Sequence, residues 1–364
     1  MADLLKDMYN QDTLGKLAKE IKVVYSSFQV TDFLASVMDE TWESLELKAR
    51  GHHICKSLRK YLPADYKEAI RIIDQVIVDY GSWLETGVAW VFIDFVELYG
   101  QDMEHWDVTM DAIERYTVHA SAEFAVRPFI IDHEGRMMAQ MYAWSKHENE
   151  HVRRLASEGC RPQLPWAQSL PKYKKDPTPI LPILEQLKTD PAFYVRKSVA
   201  NNLNDISKTH PDLVVKMAQD WYGKNADTDW IVKHACRTLL KKGNRDVLAI
   251  FGFHDVTAIA VNDFVMEPVK LKIGEEIHFS FTILAKRATK VRLEYGIDYR
   301  KANGKQSRKI FQISETALKE NERKTYTKKH SFADLSTRKH YVGRHGITLI
   351  VNGVERGTLE FELV

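Results

Sequence analysis

The sequence predicts a mostly α chain, a HEAT-like helical-repeat solenoid followed by a small C-terminal β-sandwich of immunoglobulin type. Three observations carry this. Apolar residues recur at helical spacing through roughly the first 250 positions. A motif of one valine followed by basic residues returns at intervals near 40. After about residue 255 the hydrophobic period switches from helical to alternating. The expected domains are a helical-repeat body over 1–254 and a sandwich over 255–364.

In the body, KEAIRIIDQVIVDY (67–80) puts Ala69, Ile70, Ile73, Val76, Ile77 and Tyr80 on one helical stripe. Pro63, Pro128, Pro162, Pro165, Pro191 and Pro211 fall mostly between such stripes, where helices end or begin. The repeat shows in EHVRRLASEG, FYVRKSVANN and WIVKHACRTL, whose valines are Val152, Val195 and Val232; ELKARGHH (46–53) and EFAVRPFI (123–130) are weaker, earlier copies. A helix pair of about 40 residues cannot bury its apolar face alone, so copies stack and leave one face free for a partner. In the tail, EEIHFSFTILA (275–285) alternates Ile277, Phe279, Phe281 and Ile283 on one face. TKVRLEYGIDY, HGITLIVNG and GTLEFELV repeat the pattern, with turn signals at ANGK (302–305) and VNGVERG (351–357).

Hydrophobic content of 44% and charged content of 28% are ordinary for a globular protein. MADLLKDMYNQ lacks a basic segment followed by an apolar block, so no signal peptide is expected. The longest apolar run, GVAWVFIDFVELYG, is short for a bilayer and carries Asp94 and Glu97. Cys55, Cys160 and Cys236 are few, odd in number and far apart, which argues for reduced thiols, a cytoplasmic location and no cysteine zinc site. The net charge of +2 divides unevenly. From residue 265 onward there are 20 Lys+Arg against 12 Asp+Glu, a net of +8, which leaves −6 for residues 1–264. A basic tail on an acidic body suits contact with a polyanion, although a solubilising surface explains charge alone as well.

The repeats carry unusual chemistry. In 151–158 the stripe of Val152, Leu155 and Ala156 leaves Arg153, Arg154, Ser157 and Glu158 on the other side. Glu158, beside Gly159, sits at the negative end of the helix dipole, which costs ~0.3–1 kcal/mol. Arg154 before Glu158 is the weaker order for an i,i+4 pair. As a stability device the placement is poor. In RKSVANNLNDISK (196–208) Val199, Leu203 and Ile206 are the expected buried positions, with Lys197, Asn201, Asn204, Asp205 and Lys208 on an exposed face. Amides and basic groups on one face suit phosphate and sugar oxygens. Asp205 among them would repel a nucleic-acid backbone unless positive charge develops beside it. Glu123, with Arg127 one turn later, is a further carboxylate whose plain reading is an i,i+4 pair. Trp166, in RPQLPWAQSLPK, either caps a repeat junction or offers its ring to a cationic base, a contact worth about 0.5–2 kcal/mol.

Two metal motifs are set aside. HENEH (147–151) matches a zinc-peptidase helix, but the repeat register makes it span a turn and a helix start. In GHHIC (51–55) the adjacent histidines point apart on a helix. No metal or cofactor is expected.

SAEFAVRPFI, HVRRLASEGCRPQLPW and DPAFYVRKSVANNLNDISKTHPD closely resemble the HEAT-like-repeat DNA alkylation-repair glycosylases, specifically the AlkC branch of the AlkC/AlkD superfamily. The resemblance runs through roughly residues 1–250. It implies excision of positively charged N-alkylated bases, 3-methyladenine foremost, from duplex DNA without deep base flipping. Some members carry a C-terminal immunoglobulin-like domain, in keeping with the strand-rich tail. Carried over, the catalytic positions are Glu123, Glu158, Trp166 and Asp205. The DNA backbone would be held by Arg127, Arg153, Arg154, Arg161, Arg196, Lys197, Asn201, Asn204 and Lys208. Glu158 and Asp205 rank ahead of Glu123 as the pair beside the sugar. No amine nucleophile is needed, so the expected enzyme is a monofunctional glycosylase in base excision repair. It would act as a monomer on alkylated double-stranded DNA, with no membrane and no obligate protein partner. The rival is a non-enzymatic HEAT adaptor for nucleic acid or an acidic peptide, which needs the basic residues but not the carboxylates.

Overall fold

The computed structural model describes residues 4–80, 87–335 and 338–364. Its helices run α1 (Gln11–Val24), α2 (Val30–Val37), α3 (Leu47–Tyr61), α4 (Tyr66–Tyr80), α5 (Val88–Tyr99), α6 (Trp106–Tyr116), α7 (Val126–Asp132) and α8 (Glu134–Trp144). They continue with α9 (Glu150–Glu158), α10 (Pro171–Lys175), α11 (Leu181–Leu187), α12 (Phe193–Ile206), α13 (Pro211–Trp221), α14 (Ala226–Ala235), α15 (Arg237–Lys241) and α16 (Arg245–Ile250). Eight strands follow: β1 (Ile259–Glu267), β2 (Lys270–Leu271), β3 (Glu276–Ala285), β4 (Thr289–Arg300), β5 (Gln306–Leu318), β6 (Arg323–Ser331), β7 (Gly343–Val351) and β8 (Val354–Leu363). No described helix is long and apolar enough to cross a membrane. The chain divides into two compact units, one of residues up to Thr209 with Asn225–His234, the other of His210–Lys224 with Ala235–Val364.

The first unit is helical throughout. Helix α1 starts on a capping box in which Asn10 accepts from the Asp12 and Thr13 amides at 3.0 Å. Its buried face is Leu14, Leu17, Ala18 and Ile21, the i, i+3, i+4, i+7 stripe. Helix α5 buries Val88, Ala89, Val91, Phe92, Ile93, Phe95 and Val96, which is why its run reads as apolar. It packs on α3 and α6, while α9 packs on α8, α11 and α12. The three repeat valines fall on α9, α12 and α14 and are all buried, Val152 and Val195 fully and Val232 nearly so. Pro128 stands in the first turn of α7, where its missing N–H has no intrahelical partner to lose.

The second unit holds the sandwich, with sheet orders β1-β3-β6 and β2-β8-β7-β4-β5. Its core draws Ile277, Phe279, Phe281 and Ile283 from β3, the four positions that the alternation predicts, together with Val291, Leu293, Ile347, Leu349 and Phe361 from the facing sheet. The VNGVERG signal is the β7–β8 hairpin. Asn352 (φ 49°) and Gly353 (φ 74°) both adopt left-handed backbone, the conformation that a two-residue primed turn requires. Helices α13, α15 and α16 belong to this unit as well.

Candidate active site

Helix α9 supplies the first carboxylate. Asn149 caps its start by accepting from the His151 amide at 2.9 Å. Val152, Leu155 and Ala156 are buried, but so are Ser157 and Glu158, the latter 5% exposed. The expectation of an exposed Glu158 is therefore corrected. A nine-residue helix packed by three others has little free face, and a single apolar stripe reveals only one of them.

Glu158 is held from three sides. Arg161 Nη1 donates to Oε1 at 2.6 Å, the Ser198 hydroxyl donates to Oε2 at 2.6 Å, and Arg154 Nη2 lies 3.6 Å from Oε1. Arg161 also donates through Nε to Asp205 Oδ2 at 2.9 Å, and Lys208 Nζ donates to Asp205 Oδ1 at 2.8 Å. At the other end Arg154 Nη1 stands 2.6 Å from Glu123 Oε2, an oxygen that also accepts from the Ser121 hydroxyl at 2.6 Å. The result is a ribbon in which acid and base alternate: Glu123, Arg154, Glu158, Arg161, Asp205, Lys208. All three expected carboxylates are brought together, from the turn before α7, from α9 and from α12. Burial works against the Arg161 charge, and the Glu158 and Asp205 carboxylates outweigh it, leaving the guanidinium above its usual value.

Two further expectations change here. Asp205 and Asn204 are buried rather than on an exposed face, and Asp205 is balanced by Arg161 and Lys208 within the fold. Its side chain is 2% exposed against 7% for Glu158 and 16% for Glu123, so Glu123 is the carboxylate nearest to solvent. Glu123 lies ahead of α7 in a turn and pairs with Arg154, not with Arg127.

The basic set splits. Arg127 is 1% exposed and donates to the carbonyls of Gly159 at 2.8 Å, Arg161 at 3.1 Å and Gln168 at 2.5 Å, so no surface remains for a phosphate. This corrects its place among the DNA contacts: the guanidinium ties the 159–168 loop to α7, and burial pulls its pKa down to about 10. Arg153 is committed to Asp190 at 2.6 Å and to the carbonyls of His147 and Glu148. Arg196 binds the carbonyls of Asp190 and Pro191 and pairs with Asp227 at 3.1 Å. Arg161 is 7% exposed. Lys197 and Lys208 are exposed, and Asn201 is half-buried with its Oδ1 3.3 Å from His234 Nε2.

Trp166 caps nothing. Its ring is 81% exposed, and its φ of 63° is left-handed backbone, a conformation costing about 1–3 kcal/mol for a residue with a side chain. Beside it opens a cavity of about 300 Å³, which Glu123 and Trp166 share with Trp90, Asp94, Glu97 and Phe124. His52, Asp94 and Glu97 bring one ligand atom each to within 4.8 Å of one another, the one such group among the described residues with spacing for a cation. HENEH does span a turn and a helix start: α9 begins at Glu150, and His147 before it accepts from the Asn149 amide at 3.0 Å. The histidines of GHHIC do point apart, His53 to the Val37 carbonyl and His52 into the cavity.

Sequence reasoning missed Ser198, Asp190 and the Asp94/Glu97 pair. A serine in a repeat gives no signal of its own. Two acids at i and i+3 in an otherwise apolar helix do, and that spacing was legible.

The DNA alkylation repair enzyme family model matches residues 97–239, and a second model, the C-terminal Ig-like domain of uncharacterised protein YhaZ, matches residues 260–364. Uncharacterized protein YhaZ of Bacillus subtilis (strain 168) is 47% identical over 363 residues, covering 100% of both chains. The structure of Pseudomonas fluorescens alkylpurine DNA glycosylase AlkC, bound to DNA containing an abasic site analog, matches with a TM-score of 0.94 and 35% identity over 100% of each chain. Full-length likeness in sequence and fold, together with the repair-enzyme match over the segment that holds the carboxylate ribbon, places this chain in the AlkC family of DNA alkylation repair proteins.

Proposed function

We propose that this protein is a monofunctional DNA glycosylase that removes positively charged N-alkylated purines, 3-methyladenine foremost, from duplex DNA, without drawing the base into a deep pocket before cleavage. The observation that carries the reading is the ribbon itself. Three carboxylates from separate elements are fixed by Arg154 and Arg161, with the most exposed, Glu123, on the cavity that Trp166 also lines.

The chemistry follows from the substrate. An N3-alkylated purine already carries the positive charge that protonation would otherwise supply. Its glycosidic C–N bond breaks with the electron pair going to the base, which leaves neutral, and positive charge develops at C1′ of the deoxyribose. Preorganised carboxylates stabilise that charge at no reorganisation cost. Glu123, held by Arg154 and Ser121, is the group suited to contact the sugar and to take the proton from the water that adds to C1′. Glu158 and Asp205, less exposed, act through their field and fix the arginines. Trp166 stacks its exposed ring near the cationic base. The products are a free base and an abasic deoxyribose. Lys197 and Lys208 are the exposed cations of the expected set and suit phosphates, and the basic tail adds to them.

Release of 3-methyladenine from methylated duplex DNA tests this. Glu123→Gln should slow single-turnover release by ~10²–10³-fold with DNA affinity kept, the scale of losing one preorganised electrostatic group. Glu158→Gln and Asp205→Asn should also slow it. An unchanged rate in all three defeats the assignment. A wild type that binds DNA but releases no alkylbase favours a non-enzymatic adaptor.

A further inference from the structure

The cavity beside Glu123 extends between α3 and α5, away from the ribbon, and the mechanism above uses none of that part. Helical spacing puts Trp90, Ile93, Asp94 and Glu97 on one stripe of α5, facing Lys48 and His52 one turn apart on α3. Gly51 permits the approach: a Cβ there would stand 2.6 Å from Asp94 Oδ2. Trp90 and Phe124 give aromatic surface, and the mouth carries the exposed Leu5, Lys48 and Trp166.

The charges in this space are unbalanced. Among the described residues no lysine or arginine forms an ion pair with Asp94 or Glu97. The nearest cation, Lys48, places its ammonium 3.9 Å from the centre of the Phe124 ring and donates to the Trp166 carbonyl. Burial, then the Glu97 charge, lifts the Asp94 pKa to about 7, and burial lifts Glu97 as well, in both cases against a weaker opposing pull from Lys48. Burial, helped by Lys56 and Lys48, pushes His52 down. A space of about 300 Å³ is at the small end of ligand sites. Aromatic walls over a carboxylate floor with no closely paired cation suit a flat ring bearing an amino group and a basic nitrogen.

We propose that this cavity receives the released alkylpurine, with Trp90 and Phe124 against the ring and Asp94 and Glu97 accepting hydrogen bonds from its amino group and from a basic ring nitrogen that takes a proton from solvent after the base has left neutral. The inference rests on the glycosylase reading, because Glu123 and Trp166 line both spaces and a base freed beside them has this opening next to it. A site that takes the product, and not the base still attached, is compatible with cleavage in the stacked duplex.

Equilibrium dialysis of radiolabelled 3-methyladenine against the full-length, DNA-free protein tests it. The wild type should bind, 3-methyladenine should displace the label better than hypoxanthine, which lacks the amino group, and Asp94→Asn and Glu97→Gln should each weaken binding by ~10-fold or more, the scale of a lost charge-assisted hydrogen bond. No binding up to about 1 mM overturns the proposal. So do equal displacement by hypoxanthine and affinities unchanged in both variants. The competition on wild type covers a variant that fails to fold. Base release from methylated DNA is scored separately. Release without binding of free base defeats this inference alone, whereas binding without release defeats the glycosylase reading.

Discussion

Replacing Arg161 with methionine removes the cation that Glu158 and Asp205 share, at 2.6 and 2.9 Å. Both carboxylates are nearly inaccessible, at 5% and 2% exposure, so water cannot take its place without rearrangement. Stripping one member from a buried ion pair costs about 3–5 kcal/mol, because a desolvated charge is left behind. Here each acid retains some help: Glu158 keeps the Ser198 hydroxyl at 2.6 Å and Arg154 at 3.6 Å, and Asp205 keeps Lys208 at 2.8 Å. The expected loss therefore lies at the low end, about 3 kcal/mol. Urea unfolding at neutral pH, followed by far-ultraviolet circular dichroism, reads it as a midpoint lower by roughly 1 M for a slope near 3 kcal/mol per molar. Arg161→Met combined with Glu158→Gln and Asp205→Asn removes the stranded charges with the cation, and it should recover more than half of the loss. A single-variant loss below about 1 kcal/mol, the worth of an exposed pair, would refute the buried-ribbon argument. So would a triple variant no more stable than the single.

Lys197→Ala should flatten the dependence of log affinity for DNA on log salt by about 0.9, the share of one phosphate contact. Arg127→Met should leave that slope alone and lower the melting temperature instead, since its guanidinium binds only main-chain carbonyls; a flattened slope in Arg127→Met would return it to the interface. In the second unit, His330 bridges the Tyr295 hydroxyl at 3.0 Å and the Tyr299 hydroxyl at 2.7 Å, and burial lowers its pKa to about 4. The unfolded chain then binds the proton first, so stability is full above pH ~6.5 and falls as pH drops toward about 4, by on the order of 2–3 kcal/mol. Calorimetry across that range should show the loss, with a shallower slope in His330→Gln; equal slopes would exclude His330 as its source.

Local pattern was enough for much of the architecture. The alternation in β3 assigned Ile277, Phe279, Phe281 and Ile283 to the sandwich core, and the three repeat valines fell on buried helix faces. It also drew attention to Glu123, Glu158 and Asp205 one by one, while the resemblance to the AlkC branch joined them as one acidic set. What stayed hidden depends on contacts between elements far apart in sequence. Arg161 and Arg127 carry the same charge as Lys197, and nothing in their immediate neighbours tells that one bridges acids, one binds carbonyls and one meets solvent. Glu158 and Asp205 were placed outside because stripe counting allows a helix one buried face, whereas α9 and α12 lie among several neighbours. Asp94 and Glu97 registered only as charges that interrupt an apolar run. Their pairing with His52 needs α3 laid beside α5.

The three main-chain carbonyls gathered by Arg127 fasten the segment that carries the Trp166 ring to the helix just behind Glu123. A cross-link of this kind does for a loop what a cystine does, but through charge and dipole, so a reducing agent cannot open it. Cys55, Cys160 and Cys236 are all buried free thiols, so no disulfide helps to hold the site. The left-handed tryptophan is thus held through its backbone, by this clamp on either side and by Lys48 at its own carbonyl, while its ring stays exposed.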